Sequence, residues 1–195
     1  FSFNNPHGAC PNCDGLGEQL KVDAALIVPD TSLSLEAGAI APWAKSASKY
    51  QSQTITALAA HFNFSLQTPW KKLNKKIQST LLYGTNEDVK FIFEDGVRRY
   101  EVERNYEGVI NNLERRYRET DSNWVRDDIA KYQSRQPCGT CEGRRLRPEA
   151  LAVRLAESDI SQVSVLSIRE AKVWFESVSA KLTEQQNEIA SRILK

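Results

Sequence analysis

Cys10-Pro11-Asn12-Cys13 and Cys138-Gly139-Thr140-Cys141 hold all four cysteines of the 195-residue chain, and their reading decides the fold. Each C-x-x-C puts two thiols on one tight turn, so both sulfurs can face the same atom. Two such turns brought together make a closed, all-thiolate tetrahedral site, the geometry of structural zinc. Asp14-Gly15-Leu16-Gly17 follows the first pair and Glu142-Gly143 the second, which lets the chain turn where a side chain would clash. A disulfide framework is the poorer reading, because such frameworks belong to short, cysteine-dense secreted chains and nothing here reads as a secretory signal. Paired redox motifs lack a thioredoxin-like strand-to-helix junction, and unliganded buried thiols are the bland alternative. The chain therefore reads as an α+β protein, a small four-cysteine zinc module with a large mixed helix and β-hairpin insertion between its halves. The expected boundaries are 1–19 for the first half of the module, 20–136 for the insertion, 137–156 for the second half and 157–195 for terminal helices.

Apolar residues make up 41% of the chain and charged residues 26%, an ordinary globular balance. The net charge of +1 does not announce a nucleic-acid binder, so any basic surface must come from local clustering. No apolar run approaches the ~20 residues of a membrane span. Thiols in zinc spacing suit a reducing compartment, which places the protein in the cytoplasm. The absence of methionine and the abrupt ends suggest a piece of a longer protein.

Outward from the knuckles, Phe1 to Pro6 reads as a short strand that breaks into a turn at Asn4-Asn5-Pro6, and Glu18 to Val22 as a second short strand. Ser46 to Phe62 has a helical stripe of Tyr50, Ile55, Leu58, Ala59 and Phe62. A second helix is expected from Pro69, capped by Thr68, with Trp70, Leu73, Ile77 and Leu81 inward and an end at Gly84. Asp95-Gly96 between Val89–Glu94 and Val97–Glu103 is a hairpin signal. Helices are expected from Tyr106 to Arg118 and after a cap at Asp121 or Ser122, the latter with Trp124, Val125, Ile129 and Tyr132 on its apolar side. Ala150 to Ala156 reads as a strand. Ser167-Ile168-Arg169-Glu170 is a capping box, and Thr183 opens a last helix.

Candidate DNA contacts are Arg98 and Arg99 on the hairpin, Arg104 after it, Arg115, Arg116 and Arg118 on the next helix, and Arg144, Arg145 and Arg147 beyond the second knuckle. Packed together they would hold phosphates without reading sequence. The competing reading pairs them with Glu101, Glu103, Glu107 and Glu114 in a solvated face. There is no phosphate loop, dinucleotide fingerprint or nucleophile elbow. His7 and His61 lack catalytic companions, and four thiolates leave zinc no open position for water. No enzymatic activity is expected of the chain.

Residues 1–17 (FSFNNPHGACPNCDGLG), residues 138–149 (CGTCEGRRLRPE) and residues 106–120 (YEGVINNLERRYRET) resemble the UvrA family, the damage-sensing subunits of the bacterial UvrABC excision nuclease. The resemblance implies a parent protein that is a dimeric ABC-type ATPase acting in nucleotide excision repair and the SOS response. It loads UvrB onto damaged duplex DNA. The chain would hold the first ATPase half's zinc module, its DNA-embracing insertion and part of a signature domain. ATP would be bound by the parent and not by this piece. Many members carry a further C-x-x-C upstream of the Phe-Ser-Phe run. The resemblance favours pairing Cys10 and Cys13 with Cys138 and Cys141 over pairing with that knuckle. A zinc-stapled module that docks a partner such as UvrB, without touching DNA, is the alternative function.

Overall fold

Asp23 closes the base of a folded unit that spans residues 20–134. Its backbone N–H donates to Tyr132 O at 2.9 Å, and its carboxylate accepts from Ser134 Oγ at 2.7 Å. The computed structural model describes residues 2–44, 48–94, 96 and 98–194. Residues 1–19 and 135–195 make a second unit.

The first unit opens with β1 (Glu18–Val22) and α1 (Ala24–Ile27), whose N-cap is Asp23. α2 (Ala41–Ala44) and α3 (Lys49–His61) follow. Ser48 and Gln51 form a reciprocal capping box on α3, so the helix starts inside the expected range, and Ser46 lies outside the described residues. The expected helix from Pro69 is two elements. Trp70–Lys72 makes a 3-10 turn, and α4 (Lys75–Tyr83) starts afresh with Asn74, not Thr68, as its cap. The break has a long-range cause: Trp70 N donates to Leu33 O and Lys71 N to Thr31 O, which hold this stretch against an earlier loop. Trp70, Leu73 and Leu81 are nevertheless buried as the spacing implied.

β2 (Thr85–Glu94) and β3 (Arg99–Tyr106) form the antiparallel hairpin, with Phe91 opposite Val102 and Phe93 opposite Tyr100. The register ends with Glu94 opposite Arg99, and Asp95 and Val97 of the expected hairpin turn lie outside the described residues. Arg104 is within β3, not after the hairpin. Val89, Phe91 and Phe93 alternate inward, and Tyr50 of α3 stacks on Phe93 at 4.8 Å. The next helix, α5 (Val109–Glu119), begins three residues later than expected, because Tyr106 is still paired in β3 and Gly108 turns with φ +88°. α6 (Asn123–Ala130) is capped by Ser122 and followed by β4 (Gln133–Pro137), which pairs with β1. Val125 and Tyr132 pack on the core beside buried Ile129, but Trp124 is 74% exposed. The steps of four and three residues from Val125 make the stripe, and Trp124 falls about 100° off it.

The Asp23 carboxyl is held below the usual carboxylate range, chiefly by the Ser134 hydroxyl. A depressed folded pKa means its stabilisation is complete above the unfolded value near ~3.9 and is lost as pH falls through the folded one. The urea midpoint of the protein should drop below about pH 4, with a smaller acid-side drop in Asp23→Asn. Identical acid profiles in both proteins would remove the carboxylate from the account.

In the second unit the expected turn at Asn4-Asn5-Pro6 forms within residues 3–8, but no strand leads into it, and Phe1 lies outside the described residues. Ser2 Oγ and Asn5 Oδ1 accept from Asn4 N and His7 N, satisfying locally the donors a strand would offer a neighbour. Ala150–Ala156 is likewise not one strand. Pro148 starts α7 (Pro148–Leu151), and β5 (Arg154–Leu155) returns on β6 (Ser158–Asp159) through Ala156 and Glu157, both at positive φ. α8 (Ile160–Ser164), α9 (Ile168–Val178) and α10 (Glu184–Ala190) complete the chain. The boxes at Ser167/Glu170 and Thr183/Gln186 both form. Ile168, Val173, Phe175 and Ile189 remain exposed. No helix among the described residues is long and apolar enough to cross a membrane.

Candidate metal centre and nucleic-acid interface

The two knuckles are built alike. After each second cysteine the chain enters left-handed space, at Asp14 and Gly15 (φ +48° and +74°) and at Glu142 and Gly143 (φ +52° and +84°). Gly15 N donates to Cys10 O and Glu142 N to Cys138 O. The halves are then laced symmetrically: Cys10 N donates to Arg145 O and Cys138 N to Gly17 O, both at 2.9 Å. A Cβ on Gly15 would sit 2.0 Å from Phe3 O, so glycine is required there sterically as well as by φ.

All four cysteines are buried, and their sulfurs lie within 4.8 Å of one another, with Cys13 Sγ and Cys141 Sγ at 3.7 Å. Tetrahedral zinc at ~2.3 Å from each sulfur requires sulfurs ~3.8 Å apart, so the donor set fits the ion. Gly17 N donates to Cys13 Sγ at 3.2 Å and Asn12 Nδ2 to Cys138 Sγ at 3.5 Å, contacts that favour thiolate. Backbone N–H groups of Cys141 and Thr140 draw the Cys138 thiol down to about 6, whereas burial pushes Cys13 up to about 11. Four cysteines are thus placed to hold a metal ion. The sequence reading missed Asn12 and Gly17 as donors to sulfur; their positions within and four residues beyond the first knuckle were the signal available. His7 is exposed in its turn.

The nine candidate arginines divide between the two units, three in the knuckle unit and six in the insertion. Arg144 Nε donates to Cys141 O, Arg145 Nε to Gly15 O and Arg147 Nε to Ala9 O, so these three lace the knuckles. Arg145 also lies 4.0 Å from the centre of the Phe3 ring. On the hairpin, Arg99 and Arg104 are five residues apart along β3 and project to opposite faces. Arg98 lies in the loop before β3. Arg104, Arg115 and Arg116 line one cleft with Trp43, Tyr50, Phe91, Asn112 and Glu107. Arg118 is exposed on α5 and does not line it. Of the four glutamates considered as neutralising partners, Glu107 holds Arg115 at 2.7 Å, and Glu119, not anticipated, holds it at 2.8 Å. The Arg115 hydrogen bond keeps Glu107 below the usual carboxylate range. Glu101 pairs with Lys90 instead.

Together the fold and the thiol cluster define a four-cysteine knuckle module interrupted by a folded α+β insertion. Residues 23–131 match the model of the UvrA DNA-binding domain, and the chain belongs to that family. It is 54% identical to UvrABC system protein A of Bradyrhizobium diazoefficiens and 52% identical to that of Agrobacterium fabrum, across its full length in both cases. It spans about a fifth of the length of those relatives, 20% of each. The crystal structure of UvrA2 from Deinococcus radiodurans superposes on 98% of the chain, and on 24% of its own, with a TM-score of 0.60 at 24% identity, a likeness of fold.

Proposed function

We propose that the chain is a DNA-contacting part of a nucleotide excision repair damage-recognition protein. In this reading, residues 20–136 form the insertion that meets duplex DNA without reading sequence. Residues 1–19 and 137–156 form its zinc module, with Cys10, Cys13, Cys138 and Cys141 holding one structural ion, and residues 157–195 belong to a signature domain. ATP turnover, dimerisation and UvrB loading belong to the longer parent, in the cytoplasm. The observation that carries the reading is the family match over residues 23–131, which lies wholly within the insertion.

Arginines are the insertion's means of holding phosphates. Replacing Arg115, Arg116 and Arg118 together with alanine should weaken duplex binding about tenfold at low salt, equally for damaged and undamaged DNA. The slope of log affinity against log salt should shrink by roughly one to two. Arg115 is expected to contribute least, since Glu107 and Glu119 already neutralise it. Unchanged affinity and slope in the folded triple variant would move the DNA contact elsewhere and favour partner docking. For that rival reading, exposed Trp124 is the first residue to test.

A further inference from the structure

The cleft between α3, β3 and α5 is more than a basic surface. It has a volume of about 470 Å³, and its charged lining is three arginines against one glutamate, Glu107. Arg115 is already engaged by Glu107 and Glu119. Arg104 and Arg116 form no ion pair at contact distance among the described residues, although the charge of Arg104 helps hold the Glu107 carboxyl low. Arg104 is also held in place: its Nη2 donates to Tyr50 Oη at 2.6 Å, and its guanidinium lies 5.7 Å from the centre of the Phe91 ring. Tyr50 is fixed in turn by its stack on Phe93. Two guanidinium groups outside any ion pair, one braced by aromatic rings, make a site for a phosphate. The rings of Trp43 and Tyr50 line the same cavity, and Asn105 and Asn112 add amides. A volume of this size accommodates a small-molecule ligand.

We propose that this cleft binds a single unpaired nucleotide, its phosphate at Arg104 and Arg116 and its base against the Trp43 side. The proposal rests on the DNA-contacting reading above and deepens it. An intact duplex would meet the rim, while a nucleotide freed from pairing, or a free nucleotide, would enter.

The test measures binding of a short thymidine oligonucleotide, the same strand paired with its complement, and thymidine monophosphate to the whole chain. Arg116→Gln and Trp43→Leu are compared with Trp43→Phe and with Arg99→Gln on the opposite hairpin face. Arg116→Gln and Trp43→Leu should each weaken single-strand binding about tenfold. Trp43→Phe should restore most of that loss, since stacking tolerates any aromatic ring, and Arg99→Gln should change it little. Trp43→Leu should leave duplex binding almost unchanged. Thymidine monophosphate bound with the same variant sensitivity would support the cleft and identify a free nucleotide as sufficient. Single-strand affinity unmoved by Trp43→Leu and Arg116→Gln would overturn the proposal. So would an equal loss on single strand and duplex, which leaves the DNA-contacting reading standing. Failure to bind duplex or single strand at low salt would overturn both.

Discussion

A Cys138→Ser chain should carry essentially no zinc, where the unmodified protein should carry about one ion per molecule, and the unit of residues 1–19 and 135–195 should lose its protease resistance. Cys138 is fully buried and accepts from Asn12 and from the backbone of its own turn, so it is the most committed thiolate of the four. The second unit has little else to hold it. Besides the cysteines, its buried apolar side chains among the described residues are Ala9, Leu146, Ala150, Leu151 and Val178, with Phe3 packed against the Leu146 group. Structural zinc sites supply roughly 10 kcal/mol of binding free energy, far more than so small a cluster provides. The insertion should survive, since the cluster running from Val22 to Ile129 lies entirely within residues 20–134. Metal analysis and limited proteolysis read both halves of the expectation. Full zinc content in the folded variant would exclude Cys138 as a ligand.

Gly108→Ala should destabilise the insertion by more than about 3 kcal/mol, near the top of what single substitutions do. Two glycines meet backbone to backbone where α4 ends and α5 begins. A Cβ on Gly108 would lie 2.4 Å from Gly84 N and from Tyr83 C, and one on Gly84 would lie 2.3 Å from Tyr106 O. No flexible side chain can give way there, and both residues sit at positive φ. Gly96→Ala is the control: it shares the positive φ, but a Cβ there meets no atom within 4 Å, so about 1 kcal/mol is expected. Equal losses at the two positions, read from urea midpoints, would show that conformation and not close approach decides the cost.

Much of this was legible because its causes are local. C-x-x-C spacing and the Ser167 and Thr183 capping signals each act within a few residues. What escaped reading acts over distance. Nothing near Trp70 reports that its N–H will be drawn to Leu33 O. Likewise, a run of arginines does not say that Arg144, Arg145 and Arg147 will turn their Nε atoms onto knuckle carbonyls. Strand parity separates Arg99 from Arg104, but only once Arg104 is known to be inside β3. The partnership of Arg104 with Tyr50 joins residues 54 apart and needed the fold.

The Asp23 contacts with Tyr132 and Ser134 bear on how tightly the cysteines can hold an ion. In an unfolded chain, bringing the knuckles together means closing a loop of roughly 124 residues, an entropic cost of about 4 kcal/mol. The insertion brings its own two ends together when it folds, so the ion meets a ring already closed. Its affinity for the four thiolates should be about a thousandfold higher than for the same knuckles on a disordered tether of equal length. Metal retention would thereby report on whether the insertion is folded, although none of the four cysteines belongs to it.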